Sequence, residues 1–332
     1  MQYQDEFLVG FEYELPKGFL VSARYQDRRI KRIVEDSAAF TAAQALQGGL
    51  QQFVIQNVSK SADNFNNVVT LTNPANPATD CQVGTFDPAS ATCFTPDSGQ
   101  FTGGDGIPDG FPNAVRKYQA VELGLERRFN KNWQLFSNFR IARLEGNFEG
   151  SFRNDNGQQD PNISSLFDFT ASGADDPLAD QFKVGPLPSD RRYTVNVYGS
   201  YLFNNGKFNG LNLGTGLRVQ SGTPISEFDA HPVYDNAGEL PVGGRGKLGR
   251  TPVVGTVDAH ADYAIKLSER FKVRLLADVF NIGNAKRIVR VDQNAQLDGG
   301  TPNPDFLRPG APGQGLPFTD PISSRFAIRF EW

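Results

Sequence analysis

The chain has 332 residues, enough for one large β domain or two smaller ones, and carries 27 Phe, 9 Tyr, 34 Gly and 21 Pro against a single Met. Its net charge is −4 with both signs scattered along the sequence, so it lacks the basic patch that nucleic-acid binding calls for. Mean hydropathy is −0.42 and no stretch approaches the ~18 consecutive apolar residues of a membrane helix. That excludes helical spanning but not a barrel, whose alternating strands average to a polar value.

Met1–Glu6 contains neither the basic nor the apolar region of a secretory signal. Phe7, Val9, Phe11, Tyr13 and Leu15 then alternate with Leu8, Gly10, Glu12 and Glu14 in a first predicted strand. Pro16-Lys17-Gly18 turns the chain into a second, in which Phe19, Val21, Ala23 and Tyr25 share one face. From about Lys31 to Val115 the pattern fades into a segment rich in Asn, Thr, Pro, Asp and Gly. Within it, Ala38 to Gln56 is free of Pro and rich in Ala, Gln and Leu, which suggests a short helix.

Alternation resumes at Tyr118. Val121, Leu123 and Leu125 oppose Glu122, Gly124 and Glu126, and after the turn at Asn130-Lys131-Asn132 the return strand carries Trp133, Leu135, Phe139 and Ile141. A polar stretch from about Gly146 to Asp190 precedes a third hairpin, Tyr193 to Phe203 and Leu211 to Val219, joined through Asn204-Asn205-Gly206. After a loop at about 221–254, Val257 to Leu267 and Phe271 to Val279 form a fourth hairpin around Ser268-Glu269-Arg270. A Gly- and Pro-dense loop at about 284–322 leads to the final strand, where Phe326, Ile328, Phe330 and Trp332 oppose Arg325, Ala327, Arg329 and Glu331.

About nine strands result, with tight turns and long loops strictly alternating. All short turns therefore fall at one end and all long loops at the other, the layout of an outer-membrane barrel. Tyr13, Phe19, Phe129, Trp133, Tyr201, Phe203, Phe208, Phe271, Phe330 and Trp332 lie at or beside the short-turn end, as an aromatic girdle at one membrane interface requires. The expected fold is an all-β, antiparallel, up-and-down transmembrane barrel, present only in part. With nine strands the first and last run in the same direction, and closing them would need a parallel pair. The sequence-based expectation is that further strands precede Met1, which also accounts for the missing signal.

Cys81 and Cys93 are the only cysteines. Two cysteines closing a short polar loop read as a disulfide formed in an oxidising compartment, or else as two free thiols. Asp105 and Asp109 in Gly103–Gly110 resemble the Asp-Gly-Ile-Pro-Asp calcium loops of some extracellular repeats. Calcium takes six to eight oxygens, however, and two carboxylates fit a plain turn better. Asp258, His260 and Asp262 share a strand face and could be drawn as a metal site, but charged residues are ordinary on the inner face of a barrel. With His231 and His260 as the only histidines and no phosphate-binding loop, no catalytic site, cofactor or enzyme activity is expected.

Several runs are similar to the C-terminal half of TonB-dependent outer-membrane receptors, above all the large Oar-like receptors. They are Arg116–Phe129 with Asn132-Trp133, Leu187-Pro-Ser-Asp-Arg-Arg192, Gly216–Pro224, Asp278-Val-Phe-Asn-Ile-Gly-Asn284 and the terminal Phe330-Glu331-Trp332. The resemblance implies a barrel of about 22 strands with a lumen plugged by an N-terminal domain. It also implies a TonB box that couples uptake to the TonB–ExbB–ExbD complex, and an outer-membrane location in a Gram-negative-type bacterium. This sequence departs from that pattern in showing no plug domain, no TonB box and only about nine strands, so residues 1–332 are expected to be barrel wall that does not transport alone. Outer-membrane lipid and the barrel-assembly machinery are the expected partners, the latter through the terminal strand with Phe326, Ile328, Phe330 and Trp332, and the substrate is open. Glu122, Glu126, Arg218, Lys272, Arg274, Arg325 and Arg329 would face the lumen and pair with one another or with the plug, or touch a substrate. A barrel-anchored adhesin is the alternative, and a soluble carbohydrate-binding sandwich a more distant one.

Overall fold

The computed structural model describes residues 1–38, 42, 46, 53–58, 71–72, 85–87, 92–94, 112–153, 165–171, 173–268, 270–311 and 315–332. Nine long strands form one antiparallel meander: β1 (Tyr3–Leu15), β2 (Phe19–Lys31), β3 (Arg116–Asn130), β4 (Trp133–Gly146), β5 (Tyr193–Leu202), β6 (Leu211–Gln220), β7 (Val254–Lys266), β8 (Lys272–Phe280) and β9 (Ser323–Glu331). Each pairs with its sequence neighbours, and the two-residue strand Gly185–Pro186 extends the sheet beside the end of β4. β1 and β9 remain at opposite edges, and the sheet is not closed.

The turn chemistry explains the short connections. Lys131 and Asn132 adopt φ of 49° and 83°, the paired left-handed conformation of a two-residue hairpin turn, with Asn130 opposite Trp133. At Pro16–Gly18, proline fixes the entry and Lys17 and Gly18 take positive φ.

Register decides which side chains share a face. Ile328 lies opposite Leu275, Leu275 opposite Tyr263, Tyr263 opposite Leu211, and the same parity continues through Val195–Phe139, Phe139–Leu123 and Leu123–Ala23 to Phe11. Through the middle of the strands, one face of the meander is therefore apolar from edge to edge, with charged side chains such as Asp27, Arg29, Lys117 and Arg143 on the same parity toward the long-loop end. Phe11, Leu123, Ile141, Leu213, Tyr263, Leu275 and Ile328 on it are all exposed. An exposed apolar sheet of this extent marks a surface that water does not cover.

The long-loop end is packed, which sequence periodicity did not indicate. Ile33, Val58, Phe148, Leu166, Phe167 and Phe182 form one buried cluster, and Phe169, Leu178 and Leu240 a second. The helix expected over 38–56 is corrected at its ends: Val34–Ala38 and Phe53–Asn57 are paired strands. The run Phe53-Val54-Ile55 is β-branched and aromatic, a composition that favours strand. Between them Ala42 and Leu46 are helical, as expected, and the other residues lie outside the described ones.

Candidate functional site

The face opposite the apolar one carries the polar side chains. Glu6 accepts from Gln26 Nε2 at 2.6 Å and Arg28 Nε at 3.0 Å, and Glu122 pairs with Arg24 across β2 and β3. On the last strands, His260 bridges two carboxylates, Nδ1 at 2.7 Å from Asp278 Oδ1 and Nε2 at 3.0 Å from Asp262 Oδ2. Asp262 also pairs with Arg274, which reaches Glu331 at 3.2 Å, while Arg325 lies 2.8 Å from Asp278. The result is a continuous charge chain, and the Asp258–His260–Asp262 grouping drawn from sequence is not what forms. Asp258 instead accepts the backbone N–H of Asn281 at 2.8 Å. Among the described residues no cluster of three metal-ligating side chains is found.

Of the charged residues expected on this face, Glu122, Arg274 and Arg325 are paired as described, and Arg218 donates to the Tyr198 hydroxyl at 3.3 Å. Glu126 is 3.9 Å from the exposed Arg128. Lys272 stands opposite Glu331, and Arg329 opposite Arg274, one like-charge pair in the wall.

The runs that carried the resemblance acquire structural roles. In Leu187–Arg192, Asp190 is fully buried. It accepts the Leu144 N–H at 2.6 Å and pairs with Arg250, so one carboxylate ties the end of β4 to the loop after β6. In Gly216–Pro224, Gly216 lies against the Tyr198 ring, and Gly222 is pressed against the Thr251 carbonyl with no room for a side chain. In Asp278–Asn284, Asn281 and Asn284 take φ of 48° and 44°. Asn281 Nδ2 donates to Asp320 O at 2.8 Å, and Asn284 Oδ1 accepts from Ile322 N at 3.1 Å, fastening the end of β8 to the start of β9. Short polar side chains tolerate the left-handed conformation and hold such turns.

The loop cap holds buried ion pairs. Arg153, 1% exposed, binds Glu239 at 2.7 Å and Ser165 at 3.0 Å, and Arg245 pairs with Glu149 at 2.9 Å. His231 is buried beside Tyr234, with Nδ1 accepting N–H groups of Val233 and Tyr234 at 3.1 and 3.3 Å. Burial, then the charge of Arg153, pushes the His231 pKa down to about 4. Burial raises the Asp168 carboxyl well above its usual range, with Tyr234 donating to it at 2.6 Å. These partners were missed because no periodic pattern surrounds them, and because Arg153 and Glu239, or Glu149 and Arg245, lie more than 80 residues apart in sequence.

Phe326, Ile328 and Phe330 are 77%, 62% and 58% exposed on the free edge strand β9, all on the apolar parity, and Trp332, just past its end, is 89% exposed. At the short-turn end, Phe19 packs on Trp133 at 6.0 Å and Tyr201 on Phe203 at 4.9 Å. Asp105, Asp109 and Cys81 lie outside the described residues. Cys93 pairs by its backbone with Leu71 and Phe86, and its side chain also lies outside them.

Long antiparallel strands with one apolar and one charged face, joined by alternating tight turns and packed loops, define part of an outer-membrane β-barrel wall. Over 207 residues, 60% of the chain, the sequence is 36% identical to the TonB-dependent transporter Oar of Myxococcus xanthus, bearing out the Oar-like resemblance. The matched region is 19% of that protein, so the chain spans about a fifth of the length of this relative. No family model matches. Among solved structures, the chain is similar to the outer membrane transporter YddB from Escherichia coli (TM-score 0.48, 11% identity, 99% of this chain and 32% of that one). A second is the ferripyoverdine receptor of Pseudomonas aeruginosa bound to ferripyoverdine (TM-score 0.44, 11% identity, 99% and 27%). The relative matched in sequence is a transporter.

Proposed function

We propose that this chain is the C-terminal barrel wall of an Oar-like TonB-dependent receptor that takes up a solute through a plugged lumen. The observation that carries the reading is the register-locked division into one apolar and one charged face. Lipid solvates the first, and the second, with its charge chain from Asp262 to Glu331, suits a water-filled or plugged interior. β1 and β9 run in the same direction, so closure with antiparallel pairs throughout needs an odd number of further strands. Unpaired edges facing lipid cost several kcal/mol per backbone group. In this reading those strands, the plug and the TonB contact belong to the same receptor, and this wall does not transport alone. The terminal strand with Phe326, Ile328, Phe330 and Trp332 is the element that the barrel-assembly machinery engages.

Expression with a signal sequence tests the reading. Fractionation into the outer membrane with heat-modifiable migration on a denaturing gel is expected, whereas a soluble periplasmic product without such migration contradicts it. The packed loop cap favours one second reading, a barrel-anchored adhesin. Deleting residues 81–110 separates the two, because an adhesin loses surface attachment while barrel assembly persists.

A further inference from the structure

Beneath the loop cap, the charged face forms a cavity of about 500 Å³. Five arginines line it: Arg24, Arg28, Arg116, Arg140 and Arg191. Only two acids join them, Glu122 and Asp190, and both are already engaged, Glu122 by Arg24 and Asp190 by Arg250 and the Leu144 N–H. Arg28 has its own partner in Glu6. The other three guanidinium groups are held by neutral oxygens. Arg116 Nε donates to Glu149 O at 2.9 Å, Arg191 Nη1 to Ser221 O at 2.5 Å, and Arg140 Nη2 to Thr194 Oγ1 at 3.3 Å. Arg140 Nε is shut off from solvent without a hydrogen-bond partner. Burial, then the nearby Arg250, pulls the Arg191 guanidinium below its ordinary range, the mark of a cation lacking compensation.

Gathering partly desolvated guanidinium groups in one hollow is unfavourable unless an anion sits among them. The planar fork of arginine matches carboxylate and phosphate oxygens, two parallel bonds at a time. The cavity size suits a small ligand rather than a single ion.

We propose that Arg116, Arg140 and Arg191 form a binding site for a small polyanion bearing two or more carboxylate or phosphate groups. The inference rests on the receptor reading and names the chemical class of its solute. Arg140 extends from the barrel wall, whereas Arg116 at the start of β3 and Arg191 in the Leu187–Arg192 run hold the rim, so wall and loop cap close on the ligand from two sides.

The test uses the full chain extracted from outer membranes in detergent, with citrate and pyrophosphate as probes in separate arms and sodium chloride at matched ionic strength as control. Calorimetric titration is expected to show saturable binding of one or both probes. Arg140→Gln, and separately Arg191→Gln, should weaken it roughly ten-fold or more, the loss expected for a charge-assisted hydrogen bond. Arg128→Gln, at an exposed position by the short turns, should leave it unchanged. Citrate alone assigns a carboxylate solute, and pyrophosphate alone a phosphate one. Heat-modifiable migration of each variant shows that the wall still assembles, so the site can fail while the receptor reading stands. Heats that match chloride, or equal binding in Arg128→Gln, Arg140→Gln and Arg191→Gln, would overturn the proposal.

Discussion

The guanidinium of Arg127 lies 3.8 Å from the centre of the Trp133 ring and donates to the carbonyls of Asn130 and Trp133 at 2.9 and 2.8 Å. Arg127 belongs by register to the apolar face, opposite Phe19 and Leu135, yet only 5% of it is exposed. A charge pointing toward hydrocarbon is costly, and here its donors are directed back onto the turn while two aromatic rings cover the cation. The aromatic girdle thus has a structural part at this turn as well as an interfacial one. Arg127→Ala is expected to lower stability by about 1–2 kcal/mol, the usual scale for a desolvated cation–π contact with its hydrogen bonds. The temperature at which heat-modifiable migration is lost should fall, and Trp133→Leu should lower it without further loss in the double variant.

Glycines of the wall and its loops separate into two kinds. A Cβ at Gly222 would collide with the Thr251 carbonyl, and one at Gly146 with the Val115 carbonyl, while at Gly283 nothing lies within 4 Å. Gly146→Ala and Gly222→Ala should each cost about 1–3 kcal/mol, since backbone must shift to admit the methyl. Gly283→Ala should be neutral. Thermal unfolding of the three variants, followed by circular dichroism, measures the contrast.

The loop cap should weaken in acid through His231. Its folded pKa of about 4 lies below the ordinary 6.5, so the unfolded loop binds the extra proton first. The stabilising contribution is complete above pH 6.5 and declines as pH falls toward 4, by ~3 kcal/mol in all. Protonation also ends the acceptor role of Nδ1 toward Val233 and Tyr234. Asp168, raised by burial and by Asp36, Glu35 and Glu239, works in the opposite direction, gaining stability as it protonates. Comparing the parent with His231→Asn isolates the histidine: the protection factors of residues 228–242 against hydrogen exchange, taken relative to the intrinsic rate at each pH, should fall from pH 7.5 to pH 5 in the parent and change less in the variant.

The inner-face ion chain should be cooperative. Asp262 is shared by Asn212 at 2.8 Å, Arg274 and His260, so Arg274→Met leaves a carboxylate that is 5% exposed without its strongest partner. Removing one member of such a pair typically costs about 3–5 kcal/mol when fully buried, and less here because Arg274 is partly exposed. Asp262→Asn in the Arg274→Met background should recover part of the loss. Chemical denaturation of the four proteins of that cycle gives the coupling.

Strand existence, pairing order and face assignment were legible because a period of two is imposed by two immiscible surroundings. Phe326, Ile328 and Phe330 alternate with Arg325, Ala327 and Arg329 for the same reason as Tyr263 and Ile265 alternate with Asp262 and Ala264. The loop cap was not legible. Its core residues, such as Ile33, Phe148, Phe169 and Leu240, come from segments far apart in sequence and follow no strand or helix period. Ala- and Gln-rich composition around 38–56 pointed to a helix, but the pairing of Val34–Ala38 with Phe53–Asn57 overrode local propensity at both ends. The Arg140 cavity was likewise hidden, because Arg24, Arg140 and Arg191 meet only through the register of β2 to β5.

The central claim is that one face of the meander meets lipid and the other does not, and site-directed labelling along β7 and β8 tests it most directly. In a background with Cys81→Ser and Cys93→Ser, single cysteines replace Ala261, Tyr263 or Leu275 on the apolar face and Thr256, Ala264 or Leu276 on the charged one. In outer-membrane preparations, a fluorophore on the first three should be quenched by lipid-tethered quenchers and spared by water-soluble ones. The last three should show the reverse. Equal quenching of both sets, or quenching of Thr256, Ala264 and Leu276 positions by the lipid-tethered group, would contradict the account.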